Sequence, residues 1–131
     1  MSASGGTPAT AVANNPAGVP VSAASGNVAN AAAVATLPAA AGKTTWLTGF
    51  TVTAGGSTAA LDVVVTVTGL AVPLAFAFTF PAGATVGAAP LVVTFPTPVA
   101  ASAVNTAVVV TVPAGGLGNT NAAVTATGFQ L

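Results

Sequence analysis

Cysteine, histidine and tyrosine are absent from this 131-residue chain, and so are glutamate, arginine and isoleucine. Lys43 and Asp62 are its only charged side chains, where ordinary usage of roughly 25% charged residues would supply about thirty. Each absence excludes a class of chemistry. Without an imidazole there is no base for a Ser-His-Asp or Cys-His device. A single carboxylate cannot act as the pair that acid–base hydrolysis of sugars or peptides requires. Zinc, iron and copper need several His, Cys or carboxylate ligands, so no metal site is expected, and calcium is left with Asp62 and carbonyl oxygens alone. One lysine is not a basic patch, which argues against DNA or RNA as a partner. The lack of cysteine removes disulfides and leaves the redox compartment open. The chain is therefore expected not to be an enzyme and to need no cofactor or small-molecule substrate.

The high mean hydropathy invites a membrane reading, but a spanning helix needs about 20 apolar residues in a row. Here Thr, Asn, Gly or Pro interrupts every run, and the richest, Ala71 to Phe80, contains Pro73 and Thr79. A transmembrane barrel would show aromatic girdles, whereas the chain has one Trp and no Tyr. The first 26 residues have neither a basic start nor a continuous apolar stretch, so no secretory signal is expected.

What the chain does contain is Ala, Val, Thr, Gly and Pro, arranged with period two from Asn27 onward, the pattern of strands with one buried face. Strands are expected near residues 27–37, 44–53, 59–68, 72–80, 90–96, 106–112 and 122–129. In the second, Trp46, Thr48, Phe50 and Val52 are expected to share a face. In the third, Leu61, Val63, Val65 and Val67 oppose Asp62, Val64, Thr66 and Thr68; in the fourth, Val72, Leu74, Phe76, Phe78 and Phe80 form the core face. Ala29 to Ala40 has helical propensity, but its Val, Asn and Thr residues break a helical stripe and favour strand. Pro-Ala-Gly recurs at Pro16, Pro81 and Pro113 as a turn former, the last two directly after expected strands. Seven strands, with an eighth available from the N-terminal segment, describe an all-β, antiparallel, jelly-roll-like β-sandwich over residues 27–131.

Residues 1–26 read as an extended N-terminal arm, in which Val19-Pro20-Val21 is suited to a sheet edge. At roughly 3.3–3.6 Å per residue the arm would span at most about 86–94 Å, enough to cross onto a neighbouring subunit. Ala41-Gly42-Lys43-Thr44 superficially fits a phosphate-binding loop, but that motif needs a glycine where Leu37 stands and a helix after it. Lys43 and Asp62 are candidates for an ion pair, within a subunit or across an interface, that would set orientation more than stability. The Thr-x-Thr units at Thr51, Thr66 and Thr125 set two hydroxyls on one strand face, an arrangement that some ice-binding proteins use, although here the spacing is irregular.

A surface with almost no charge lacks the repulsion that keeps monomers apart, and its strand edges lack Lys and Glu guards. An obligate homo-oligomer follows, with a trimer favoured, and Lys43, Asp62, Trp46, Val19 and Val21 are the candidate interface residues. The run Lys43 to Thr53, the turn Phe80 to Thr85, Phe95-Pro96-Thr97-Pro98, and Gly118 to Val124 with Gly128-Phe129 together resemble small virion proteins of tailed bacteriophages. The resemblance implies a capsid decoration or cement protein on the particle exterior. It further implies the major capsid protein as partner, assembly in the host cytoplasm, and a mechanical role with no catalytic residue.

Overall fold

The computed structural model describes residues 18–83 and 89–131, and these are all-β, with eight strands and no helix. They are β1 (Val19–Ala24), β2 (Ala33–Leu37), β3 (Thr45–Gly55), β4 (Leu61–Thr68), β5 (Leu74–Phe80), β6 (Leu91–Ala100), β7 (Val108–Val112) and β8 (Asn121–Gln130). Two four-stranded antiparallel sheets result, a first of order β1-β8-β3-β6 and a second of order β2-β7-β4-β5. The pairings β4 with β5, β3 with β6, β2 with β7 and β1 with β8 are nested, as in one long hairpin bent over on itself. Additional pairings of β3 with β8 and of β4 with β7 join the nested pairs into sheets.

The two sheets form a sandwich because each strand alternates. In β2, Ala33, Ala35 and Leu37 are buried while Val34 and Thr36 face outward. The second sheet adds Val63, Val65, Val67, Phe78, Phe80, Val108, Val110 and Val112 to the interior, and the first sheet meets them with Leu47, Phe50, Val52, Ala54, Ala122, Val124 and Ala126. Each sheet contributes both large and small side chains to this interior. Phe50 of the first sheet meets Phe76 of the second edge to face, with ring centroids 5.4 Å apart, a geometry that aligns a ring edge with a ring face.

The expected turns fall where proline and glycine place them. β5 stops at Phe80 and β7 at Val112, each followed by Pro-Ala-Gly, and Gly83 takes a φ of 99° that a Cβ would strain. Gly69 closes the β4–β5 turn with φ 90°, and a Cβ there would strike the Ala107 carbonyl.

Four expectations require correction. Residues 19–24, assigned above to the arm, are the edge strand β1 of the first sheet, paired from Val19 opposite Gln130 to Ala24 opposite Thr125. The sandwich therefore begins before residue 27; the arm reading for residues 1–17, with its Pro16 turn, lies outside the described residues. The strand expected over 27–37 is shorter. Val28 makes only an isolated bridge to Ala122, Asn30 turns with φ 45°, and pairing starts at Ala33. Val72 lies outside β5, which starts at Leu74 after Pro73, and it is 70% exposed rather than part of the core face. Trp46 does not share a face with Phe50 and Val52. A β-bulge between Leu47 and Gly49 shifts the register against both neighbouring strands, and one extra residue reverses the phase of a period-two pattern. Leu47 points inward with Phe50 and Val52, and Trp46 points out. Gly49 permits the bulge, since a Cβ there would lie 2.6 Å from the Val93 carbonyl oxygen.

Candidate functional site

The sandwich has two ends. At one lie the connections 38–44, 69–73 and 101–107; at the other lie 25–32, 56–60, 113–120 and the described residues 81–83 and 89–90. Lys43 belongs to the first end: its amide donates to the Ala40 carbonyl (3.1 Å) and its carbonyl accepts from the Asn105 amide (2.9 Å). Asp62 lies near the other end, one residue into β4, and its Oδ1 accepts a hydrogen bond from the Thr79 hydroxyl at 2.7 Å. Ser102, in the same connection as Asn105, bonds Gly69 at the far end of β4. Seven residues therefore separate Asp62 from the Lys43 end, about 23 Å at 3.3 Å per residue. The two charges cannot pair within one chain. Of the two placements expected for an ion pair, within a subunit or across an interface, the first is closed because β4 runs the length of the sandwich between them.

Trp46 and Phe129 are directly opposed on β3 and β8, with rings stacked 7° from parallel and centroids 6.0 Å apart. Pro20 lies beyond Phe129 on β1 and Ala100 beyond Trp46 on β6, so one apolar row crosses the whole outer face of the first sheet. Val19 is exposed and Val21 half-buried on the same edge strand, Val21 packing against the core. Trp46, Val19 and Val21 thus fall at one corner of the first sheet, away from Asp62, which projects from the outer face of the second.

Next to the apolar row the outer face of the first sheet is covered with hydroxyls. Thr51 and Thr125 are register partners on adjacent strands, with Thr53 and Thr127 beside them. The Thr48 hydroxyl bonds the Thr127 carbonyl oxygen (3.0 Å) and lies 3.1 Å from its hydroxyl. Thr48, Thr51, Thr94 and Val92 border a groove of about 310 Å³ floored at Gly49, the residue that the bulge requires. Two of the three Thr-x-Thr units are therefore neighbours in space; the third, Thr66–Thr68, is on the second sheet. Sequence spacing could not show this, because Thr51 and Thr125 are 74 positions apart.

The outer face of the second sheet carries Val34, Val64, Ala75, Ala77, Thr36 and Thr79, with Asp62 its one charge. Exposed apolar side chains are found on every side: Val64 at 52%, Val92 at 65% and Leu117, in the 113–120 connection, at 79%. A hollow of about 330 Å³ between Leu61, Ala60, Gly116 and Leu117 is lined mainly by carbon. Among the described residues no group of three metal-ligating side chains comes together, and no helix is long and apolar enough to cross a membrane. The arrangement offers contact surfaces: small apolar and hydroxyl groups on two broad faces, with strand edges that no described residue pairs at both flanks. No protein family, curated protein or solved structure matches the chain.

Proposed function

We propose that this chain is a structural, non-enzymatic virion protein, a decoration or cement protein that binds the capsid exterior as a homo-oligomer, with a trimer favoured. The observation that carries the reading is the surface. Both sheet faces and both ends expose Val, Leu, Ala and Thr, with one charged group at each end of the sandwich. With almost no charge between them, these apolar and hydroxyl groups suit contact with another protein, and small side chains lose little entropy when immobilised against one.

The strand order supports assigning the sandwich to the jelly-roll class, since a long hairpin rolled over itself yields the nested pairs seen here. Jelly rolls serve viral capsids, lectins and cupins alike, so the architecture is compatible with a virion role and does not select it. The virion role itself rests on the resemblance of the chain's motifs to small virion proteins, and the nearly charge-free surface supports its burial against other protein. Residues 1–17 are proposed to reach onto the major capsid protein or an adjacent subunit, a shorter arm than residues 1–26 because β1 is an integral strand.

The test is co-sedimentation. Full-length protein should travel with DNA-filled particles at a fixed copy number per capsid, and a variant lacking residues 2–17 should keep its β-sheet circular dichroism while losing most of that binding. Particles that carry no copies of the full-length chain would overturn the reading.

One observation favours a second reading. The hydroxyls of Thr48, Thr51, Thr53, Thr125 and Thr127 form a continuous patch on the first sheet, as an ice-binding module would present. Thermal hysteresis in a cooled solution of the protein would support that alternative, and its absence at millimolar concentration would remove it.

A further inference from the structure

We infer that copies of this chain join by extending the second sheet from edge to edge, the free edge of β5 in one subunit pairing antiparallel with the free edge of β2 in the next. The inference rests on the self-association proposed above and names the surface that carries it. A strand at the border of a sheet leaves one row of amides and carbonyls unpaired, and soluble proteins guard such rows with proline, charge, bulges or a covering segment.

The two sheets differ in this respect. The first is guarded at both borders: β1 contains Pro20, and β6 contains Pro96 and Pro98. The Ser25 amide donates to the Val124 carbonyl across the β1–β8 pair. Because alternate residues of an antiparallel strand bond the same neighbour, position 20 is directed to the open side. There proline's missing N–H denies a partner strand one bond. Among the described residues the border strands of the second sheet carry no such guard. β2, Ala-Val-Ala-Thr-Leu, and β5, Leu-Ala-Phe-Ala-Phe-Thr-Phe, contain neither proline nor charge. Among the described strands β2 pairs with β7 alone and β5 with β4 alone.

An independent observation marks the β5 flank as the one that is covered in the assembly. Inward-facing Leu74 and Phe76 of β5, and Leu91, Val93 and Phe95 of β6, are only half-buried, although they pack on the core. The corresponding residues of the central strands, Val65, Val67, Val108 and Val110, are fully buried. Among the described residues the sandwich is open along this side, where a hollow of about 470 Å³ runs from Phe78 and Thr79 to Pro90 and Leu91. A strand laid against β5 would shield these side chains as well as pair the backbone.

Polarity and closure select β2 of a second copy as the occupant. Within the second sheet β2 and β5 run in opposite directions, so a copy rotated about an axis along the strands continues the antiparallel alternation across the seam. A two-fold β5–β5 contact would leave both β2 edges open to further growth. A β5–β2 contact uses both unguarded edges in one kind of interface, and a rotation that closes leaves none. No like charges meet at the seam, because Asp62 lies one strand away on β4, bonded to Thr79.

Two lysine variants and three cysteine variants test this in the full-length chain. Ala77 is exposed on the outer face of β5, so Ala77→Lys places a guarding charge on the edge without touching the core; Thr53→Lys puts the same charge on the central strand β3. By light scattering at tens of micromolar, wild type and Thr53→Lys should be the same oligomer. Ala77→Lys should be a folded monomer, or dissociate at least tenfold more readily. The absence of native cysteine then permits a direct mapping. When Ala77→Cys is mixed with Val34→Cys or Thr36→Cys and oxidised, mixed disulfides should outnumber Ala77-to-Ala77 dimers. A monomeric wild type would overturn the assembly reading itself. An oligomer that survives Ala77→Lys, or that crosslinks chiefly through Ala77 to Ala77, would overturn the edge assignment alone.

Discussion

Phe80→Ala is expected to lower the stability of the fold by about 3–5 kcal/mol, the range for removing a fully buried aromatic ring. At this chain length that is a thermal midpoint lower by roughly 10–20 °C, measured by scanning calorimetry at one fixed protein concentration because assembly also shifts the midpoint. Phe80 is completely buried at the last position of β5 and meets Phe78 edge to face at 5.6 Å. The neighbouring wall is backbone: Gly115 packs so closely on the ring that a Cβ there would collide with both Phe80 and Asn119. The Ser57 hydroxyl holds the Gly115 carbonyl at 3.0 Å, which resists collapse of this wall into the space left by the ring, so the cost falls at the upper end. A loss under 1 kcal/mol would show that the 113–120 connection refolds over the gap and that this end of the sandwich is not rigid.

Asn119→Ala is expected to cost about 2–4 kcal/mol, because one side chain satisfies three backbone groups at a buried site. Asn119 is 3% exposed. Its Nδ2 donates to the carbonyls of Gly55 and Asn121, both at 2.9 Å, and its Oδ1 accepts from the Asn30 amide at 2.9 Å. It thereby ties the end of β3, the start of β8 and the 25–32 connection together. Alanine would leave the buried Gly55 carbonyl without this partner, and take a bond from the partly buried Asn121 carbonyl and Asn30 amide. Asn119→Asp provides the contrast: a carboxylate can still accept from Asn30 but cannot donate to either carbonyl, so it should rescue nothing and fall at or below alanine. Urea denaturation midpoints of the two variants check this. An aspartate variant as stable as wild type would mean that the donated bonds carry no weight. Since Asn119 touches Gly115, which touches Phe80, the Phe80 and Asn119 losses should not add in a double variant.

Of the two sites, one is legible in the sequence. Phe80 is, because the alternation of Leu74, Phe76, Phe78 and Phe80 places it on a core face and Pro81 ends the strand after it. Asn119 is not: in Gly115-Gly116-Leu117-Gly118-Asn119 it reads as one more turn residue, and its three partners come from segments up to 89 positions away. Of the candidate interface residues, Trp46 was assigned to the wrong face because a single bulge residue inverts everything before it, and a glycine within a strand is a weak sign of a bulge. Val19 and Val21 were rightly marked as edge-forming, although the strand they belong to was assigned to the arm.

Composition and period two determined, by themselves, that the chain is built of strands, where most of them end, which faces carry the core, and that almost no charge is available to any surface. These are local properties: each residue's alternation and each Pro-Ala-Gly turn acts within a few positions. Tertiary structure alone decided which strands are neighbours, that Lys43 and Asp62 lie at opposite ends, that Thr51 and Thr125 share a patch, and that the second sheet has unguarded borders. Those facts depend on pairings such as β1 with β8 and β2 with β7, whose partners are more than 70 residues apart. No local pattern encodes such a pairing. It is selected when the apolar faces of all eight strands are buried together between two layers.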